Sequence, residues 1–173
     1  MEGSSTECVA REACGRKDSR ARVLQQTSER QRQQLRAIID NTTSVVYVKD
    51  LDGRLMLINE KFTALFDQSP DDMLGMTDFE YLPPDVAAQT RANDRQVLAQ
   101  QQPVEFEEEV PDHGALKTYI SVKFPLCDAE GRAYALGGIS TDITERKQSA
   151  IALAQRAEEL SELNHQCNGL NLS

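Results

Sequence analysis

The 173 residues give room for one domain plus extensions. With 19 basic and 28 acidic residues the formal net charge is −9. Such a surface repels phosphate backbones and argues against nucleic-acid binding by counterion release. No apolar run approaches the roughly 18 residues of a membrane span and no hydrophobic signal core opens the chain, so a cytoplasmic protein is expected.

The charge is unevenly spread. Arg11, Arg16, Lys17, Arg20, Arg22, Arg30, Arg32 and Arg36 make a basic head over residues 11–36, and residues 1–26 are read as a solvated, disordered arm. Cys8, Cys14, Cys127 and Cys167 are scattered, without a second pair or a His cluster, so no metal site is expected and free thiols are the simplest account. From residue 27 to 41 Arg and Gln dominate, and Leu24, Leu35, Ile38 and Ile39 form a sparse apolar stripe, which predicts a flanking helix.

Val45-Val46-Tyr47-Val48 is β-branched and aromatic and predicts a strand. A turn at Asp50-Leu51-Asp52-Gly53-Arg54 leads into a second strand, Leu55-Met56-Leu57-Ile58. Asn59 then caps a short helix carrying Phe62, Leu65 and Phe66 on one side. Ser69-Pro70-Asp71-Asp72 is a further helix start, with Ser as cap and Pro in the first position. A brief piece around Phe79 precedes the longest central helix, which opens at Pro83-Pro84-Asp85 and runs to about residue 101. Residues 104–110 alternate apolar and acidic, a half-buried strand whose outer face carries Glu105, Glu107 and Glu109. Two more strands, 117–126 and 134–141, are joined by a turn at residues 127–132 whose chemistry repeats that of residues 50–54.

Strands thus flank a helical block rather than alternating with helices. That order predicts an α+β domain: a five-stranded antiparallel sheet with helices on one face and a helix at each end. The helices and the inner sheet face would enclose an apolar cavity. Candidate lining residues are Val46, Val48, Leu57, Phe62, Phe66, Phe79, Ile120, Val122 and Ile139, a choice that depends on strand parity, which a one-residue slip reverses.

Several short stretches, in order and spacing, resemble the PAS domain, the bacterial sensory PAS/PAC module. They are Ala37-Ile38-Ile39-Asp40-Asn41, Tyr47-Val48-Lys49-Asp50-Leu51-Asp52-Gly53-Arg54, Ile58-Asn59-Glu60-Lys61-Phe62, Leu74-Gly75-Met76-Thr77-Asp78, Ser121-Val122-Lys123-Phe124-Pro125-Leu126 and Gly138-Ile139-Ser140-Thr141-Asp142-Ile143-Thr144-Glu145-Arg146-Lys147. The resemblance covers about residues 35–147. It implies the fold just described, with a sensor domain over 42–143, a signalling helix over 144–167 and a tail over 168–173. It also implies an input function for a histidine kinase, diguanylate cyclase or phosphatase module, in cis or in trans, without fixing the ligand. By the same resemblance Asp142 and Thr144 couple the last strand to the output helix. A plain helix-start role suits the same two residues, and the readings are compatible.

Cofactors are not expected. Haem-binding members of the family carry an axial His on the central helix, and residues 84–102 hold none. Flavin-binding and coumaroyl-bearing members need a cysteine in the helical block, yet no Cys lies between Cys14 and Cys127. His165 lacks the flanking motif of a phosphoacceptor, and no catalytic motif is found, so the chain is read as non-enzymatic. On the last helix Ala150, Ala157 and Asn164 fall at a positions of a heptad, with Leu153, Leu160 and Cys167 at d. A homodimer through Leu153, Ala157, Leu160 and Asn164, assisted by Leu35 and Ile38, is the expected assembly. Packing of the helix on its own sheet is the alternative.

Overall fold

The computed structural model describes the backbone of residues 4–112 and 114–170, and side-chain surroundings for residues 22–111 and 114–161. Helix α1 spans Ser4–Asp40 and forms a unit of its own. It takes in most of the segment assigned to an arm from sequence, so its start lies well before residue 27.

The second unit contains a five-stranded antiparallel sheet, as the element order predicted, with its strands in the order β2-β1-β5-β4-β3. Its strands are β1 (Val45–Asp50), β2 (Leu55–Ile58), β3 (Val104–Asp112), β4 (Ala115–Cys127) and β5 (Ala133–Asp142). Between β2 and β3 come α2 (Glu60–Phe66), α3 (Pro70–Met73), α4 (Asp78–Tyr81) and α5 (Pro84–Gln100), and α6 (Thr144–Leu170) leaves the end of β5.

Local chemistry sets the boundaries. Asp50 Oδ1 accepts from the Arg54 amide at 2.8 Å, and Asp128 Oδ1 accepts from the Arg132 amide at 2.8 Å. In each turn a glycine, Gly53 (φ 89°) or Gly131 (φ 80°), takes the left-handed conformation that other residues resist. Asn59, fully buried, caps α2 by accepting from the Phe62 amide at 3.1 Å and also accepts from the Val46 amide at 3.0 Å. Its amide nitrogen donates to the Ser44 carbonyl at 2.9 Å, so one side chain holds the start of α2 against β1.

The inner sheet face carries Val45, Tyr47, Lys49, Leu55, Tyr119, Ser121, Lys123 and Ser140, all buried. Residues at the intervening positions face the other way. Cross-strand pairing stacks Val46 on Ile139 and Ile139 on Val122, with Val48 and Phe124 on either side of Gly137. That second face is apolar too. The first is closed by α2 and α5, from which Phe62, Ala87, Asp94 and Val97 are buried.

Candidate functional site

A partly open cavity of about 50 Å³ lies between the helical segment and the inner sheet face. Its aromatic wall is Tyr47, Phe62, Phe66 and Tyr81. Tyr47 meets Phe62 edge-on at 5.9 Å, and Phe66 meets Tyr81 edge-on at 4.9 Å between ring centroids. Edge-to-face pairs of this kind hold aromatic walls in defined orientations. Tyr47 lies across the sheet over Gly138, where an added Cβ would overlap its ring.

Beside the cavity lies a buried ion-pair network assembled from five elements. Lys49 (2 % exposed) directs its ammonium to Asp78 Oδ1 at 2.6 Å, Asp78 Oδ2 at 2.7 Å and Asp94 Oδ2 at 3.0 Å. Lys123 (0 % exposed) bonds Asp94 Oδ1 at 3.0 Å and pairs with Glu108 Oε1 at 2.8 Å. Tyr81 donates to Asp78 Oδ1 at 2.6 Å, and Asn93 donates to Glu108 Oε1 at 2.8 Å. Two cations and three carboxylates therefore share one interior. Burying an isolated ion costs several kcal/mol, so such a group persists only when paired and hydrogen-bonded. Here every enclosed side-chain polar atom among the described residues has a partner.

The network sets its own titration. Burial by itself would raise the Asp94 carboxyl, but Lys49 and Lys123 outweigh it and hold the group below the ordinary carboxylate range. Burial likewise disfavours the Lys123 ammonium, yet Tyr47, Asp94 and Glu108 outweigh that cost and raise its pKa. The Tyr81 phenol is pushed upward by burial and then by the Asp78 carboxylate it bonds. Burial also pushes Tyr47 upward, with partial opposition from Lys123.

A second, open groove of about 280 Å³ lies between α2 and the start of β4, lined by Thr43, Val45, Lys61, Ala64, Leu65, Lys117, Tyr119 and Asp142. It adjoins the exit of the domain. Asp142 Oδ1 accepts from the Thr144 amide at 2.9 Å, and its Oδ2 lies 3.3 Å from Lys117 Nζ. The Thr144 hydroxyl accepts from the Thr118 amide at 2.9 Å, and the Ile143 amide donates to the Thr118 carbonyl at 2.9 Å. Lys147, in the first turn of α6, pairs with Glu107 of β3. The carboxylate of Asp142 is held below its ordinary range: slight burial opposes this, and the bonds from Thr144 and the Lys117 charge prevail.

Of the cavity residues anticipated from sequence, Phe62 and Phe66 line the cavity. Val46, Val48, Leu57, Ile120, Val122 and Ile139 sit at the alternate strand positions and face the opposite side of the sheet, a correction of parity. Phe79 is also corrected: it is 57 % exposed, and its neighbour Asp78 turns inward instead. Both faces of β1 and β4 carry apolar residues, so hydrophobicity alone could not choose between them. The deciding groups were Lys49 and Lys123, charged residues that a sequence reading places outside. One signal was available: Asp94 lies seven residues after Ala87 on α5, an acid on the buried stripe of an amphipathic helix. Glu105, Glu107 and Glu109 are exposed, as the alternation predicted, whereas Glu108 points inward.

Asp142 and Thr144 stand together at the corner. Leu35 and Ile38 on α1, and Leu153, Ala157 and Leu160 on α6, are exposed in the single chain. Asn164 lies outside the residues whose side chains are described. No helix of the described residues is long and apolar enough to cross a membrane.

Residues 39–148 match the family model of the PAS fold. The chain is 32% identical over 129 residues to the methanogenesis regulatory histidine kinase FilI of Methanothrix harundinacea, covering 73% of this chain and 14% of that protein. It is 29% identical over 149 residues to a diguanylate cyclase of Vibrio cholerae, covering 84% of this chain and 46% of the relative. The chain thus spans less than half the length of these curated relatives. Among solved structures, the PAS domain of Bordetella pertussis BvgS superposes with a TM-score of 0.55 at 27% identity, covering 76% of this chain and 98% of that one. The sheet order, the helical block over its inner face, the strand-to-helix corner and the matched segment agree: the chain belongs to the PAS family.

Proposed function

We propose that this domain is the sensory input module of a signalling protein, non-catalytic in itself. A small molecule or partner alters the inner sheet face, and the change leaves through the Asp142–Thr144 corner into α6 and on to an output kinase, cyclase or phosphatase module. The observation that carries the reading is the geometry of that corner. Thr144 bonds the backbone of β4 while Asp142 caps the first turn of α6, so a shift of β4 relative to β5 acts directly on the helix start. The relatives are consistent with it, being a regulatory histidine kinase and a diguanylate cyclase.

A homodimer is part of the same reading. Leu153 and Leu160 repeat at seven residues on α6 and are 67 % and 62 % exposed, large apolar groups that a partner helix would cover. The second, apolar face of the sheet offers further area for such an assembly.

A fusion of the full chain to a diguanylate cyclase output module tests the coupling. Asp142→Ala is expected to shift the cyclase activity to a constant level while leaving the thermal transition of the sensor domain within a few degrees. Unchanged regulation in that variant would remove the corner from the mechanism.

A further inference from the structure

Val45, Leu65 and Tyr119 line both the cavity under the helices and the groove at the α6 exit. They therefore partition an inner chamber of about 50 Å³ from an outer one of about 280 Å³. The inner chamber alone is small: a dry cavity of about 150 Å³ houses a benzene-sized guest. A molecule of ordinary ligand size must extend past the partition into the groove.

Two features define what chemistry enters. The first is Tyr47, which is 6 % exposed and lines the inner chamber. Its hydroxyl makes no hydrogen bond to any described residue, although no fully enclosed side-chain polar atom among the described residues lacks a partner. With its ring on the chamber wall and its hydroxyl not fully enclosed, Tyr47 presents a donor awaiting an acceptor. It stays protonated, because burial, and after it the neighbouring carboxylates, disfavour the phenolate. The second is the state of the neighbouring ions. Lys49 already gives its three protons to Asp78 and Asp94, so an entering anion meets Glu108 and Asp78 with no ammonium proton left on Lys49. An entering cation loses its water to reach carboxylates whose charge Lys49 and Lys123 already balance in part.

We propose that the two chambers form one site for an uncharged amphipathic molecule with a hydrogen-bond acceptor at its narrow end. The acceptor passes between Val45, Leu65 and Tyr119 and takes the Tyr47 hydroxyl proton. The wider apolar part stays in the groove beside the Lys117–Asp142 pair. One molecule then touches both the aromatic cavity and the carboxylate that caps α6, which supplies the link between input and exit. This rests on the reading of the domain as an input module, and names the ligand class of its site.

Acetophenone, benzoate and benzylammonium have the same ring and differ in charge, and they serve as probes in an amide NMR titration of the full chain. Acetophenone is expected to move the amides of Tyr47 and Phe62 together with those of Asp142 and Thr144. The two ions are expected to bind at least about tenfold more weakly at the inner amides, because each gives up ionic hydration there for at most the one neutral Tyr47 hydroxyl. Tyr47→Phe keeps the ring and removes the donor, so it should weaken acetophenone about two- to tenfold, the worth of one neutral hydrogen bond. Equal responses from benzoate, acetophenone binding unchanged in Tyr47→Phe, or inner amides that no probe moves each overturn the two-chamber site. The fusion experiment with Asp142→Ala reads coupling without any probe. A failed titration beside intact coupling therefore removes only the ligand class.

Discussion

Tyr119 stands directly across the β4–β5 ladder from Asp142. The residue that walls the cavity is thus the cross-strand neighbour of the carboxylate that holds the first turn of α6 by a 2.9 Å bond to the Thr144 amide. Directly opposed residues in an antiparallel pair have Cβ atoms about 5 Å apart, so displacement of one is felt by the other without a longer relay.

Replacing Thr144 with Val keeps the β-branched shape and removes the oxygen. The Thr118 amide then loses its 2.9 Å partner. An unmade bond to a part-buried amide costs about 1–2 kcal/mol. The loss should appear in denaturant unfolding and as faster hydrogen exchange at Thr118 and in the first turn of α6. Exchange confined to the far end of α6 would argue against a corner role.

Asp94→Ala strips both buried lysines of a shared counter-ion. Removing one member of a buried ion network typically costs about 3–5 kcal/mol, because the partner charge stays buried. Urea melts should show a loss of that order. Replacing Lys49, Asp78, Asp94, Lys123 and Glu108 together with apolar residues of similar size should recover most of it.

Gly138→Ala places a methyl group in the ring of Tyr47. Overpacking of this kind costs about 1–3 kcal/mol. The variant should also move the Tyr47 and Phe62 resonances, since these rings meet edge-on at 5.9 Å. An unchanged Tyr47 environment in that variant would overturn the close approach of its ring to Gly138.

Stability should be flat through neutral pH and fall at both ends. Asp94 is held below its ordinary value. Its contribution is complete above the unfolded-state value of about 3.9 and is lost as the pH falls through the lower folded value. Lys123 and the phenols of Tyr47 and Tyr81 are raised. Their contributions are complete below about pH 10, where the unfolded groups begin to titrate, and are lost as the pH rises toward the folded values. Chemical denaturation from pH 3 to 11 checks the profile. In Asp94→Asn the acid limb should be shallower.

Much of the domain was legible along the chain. The β-branched run at Val45–Val48, the Asp-x-x-Gly turns, the Asn59 and Ser69 caps and the strand ending at Asp142 are all local features, decided by propensity and short-range hydrogen bonds. The element order followed, and with it the sheet with its helical cap. The site was less legible. On β1 the residues Val45, Val46, Tyr47 and Val48 are apolar on both faces, so the alternation that normally reveals burial was silent.

The sequence by itself determined the elements, their order and the strand-to-helix corner, because each depends on residues a few positions apart. The tertiary structure alone decided which sheet face lies under the helices. That choice rests on Lys49 meeting Asp78 and Asp94, and on Lys123 meeting Asp94 and Glu108, residues separated by 15 to 45 positions. A buried charge is tolerable only when its counter-charge is already there, and long-range pairing of that kind has no signature in any local stretch of the chain.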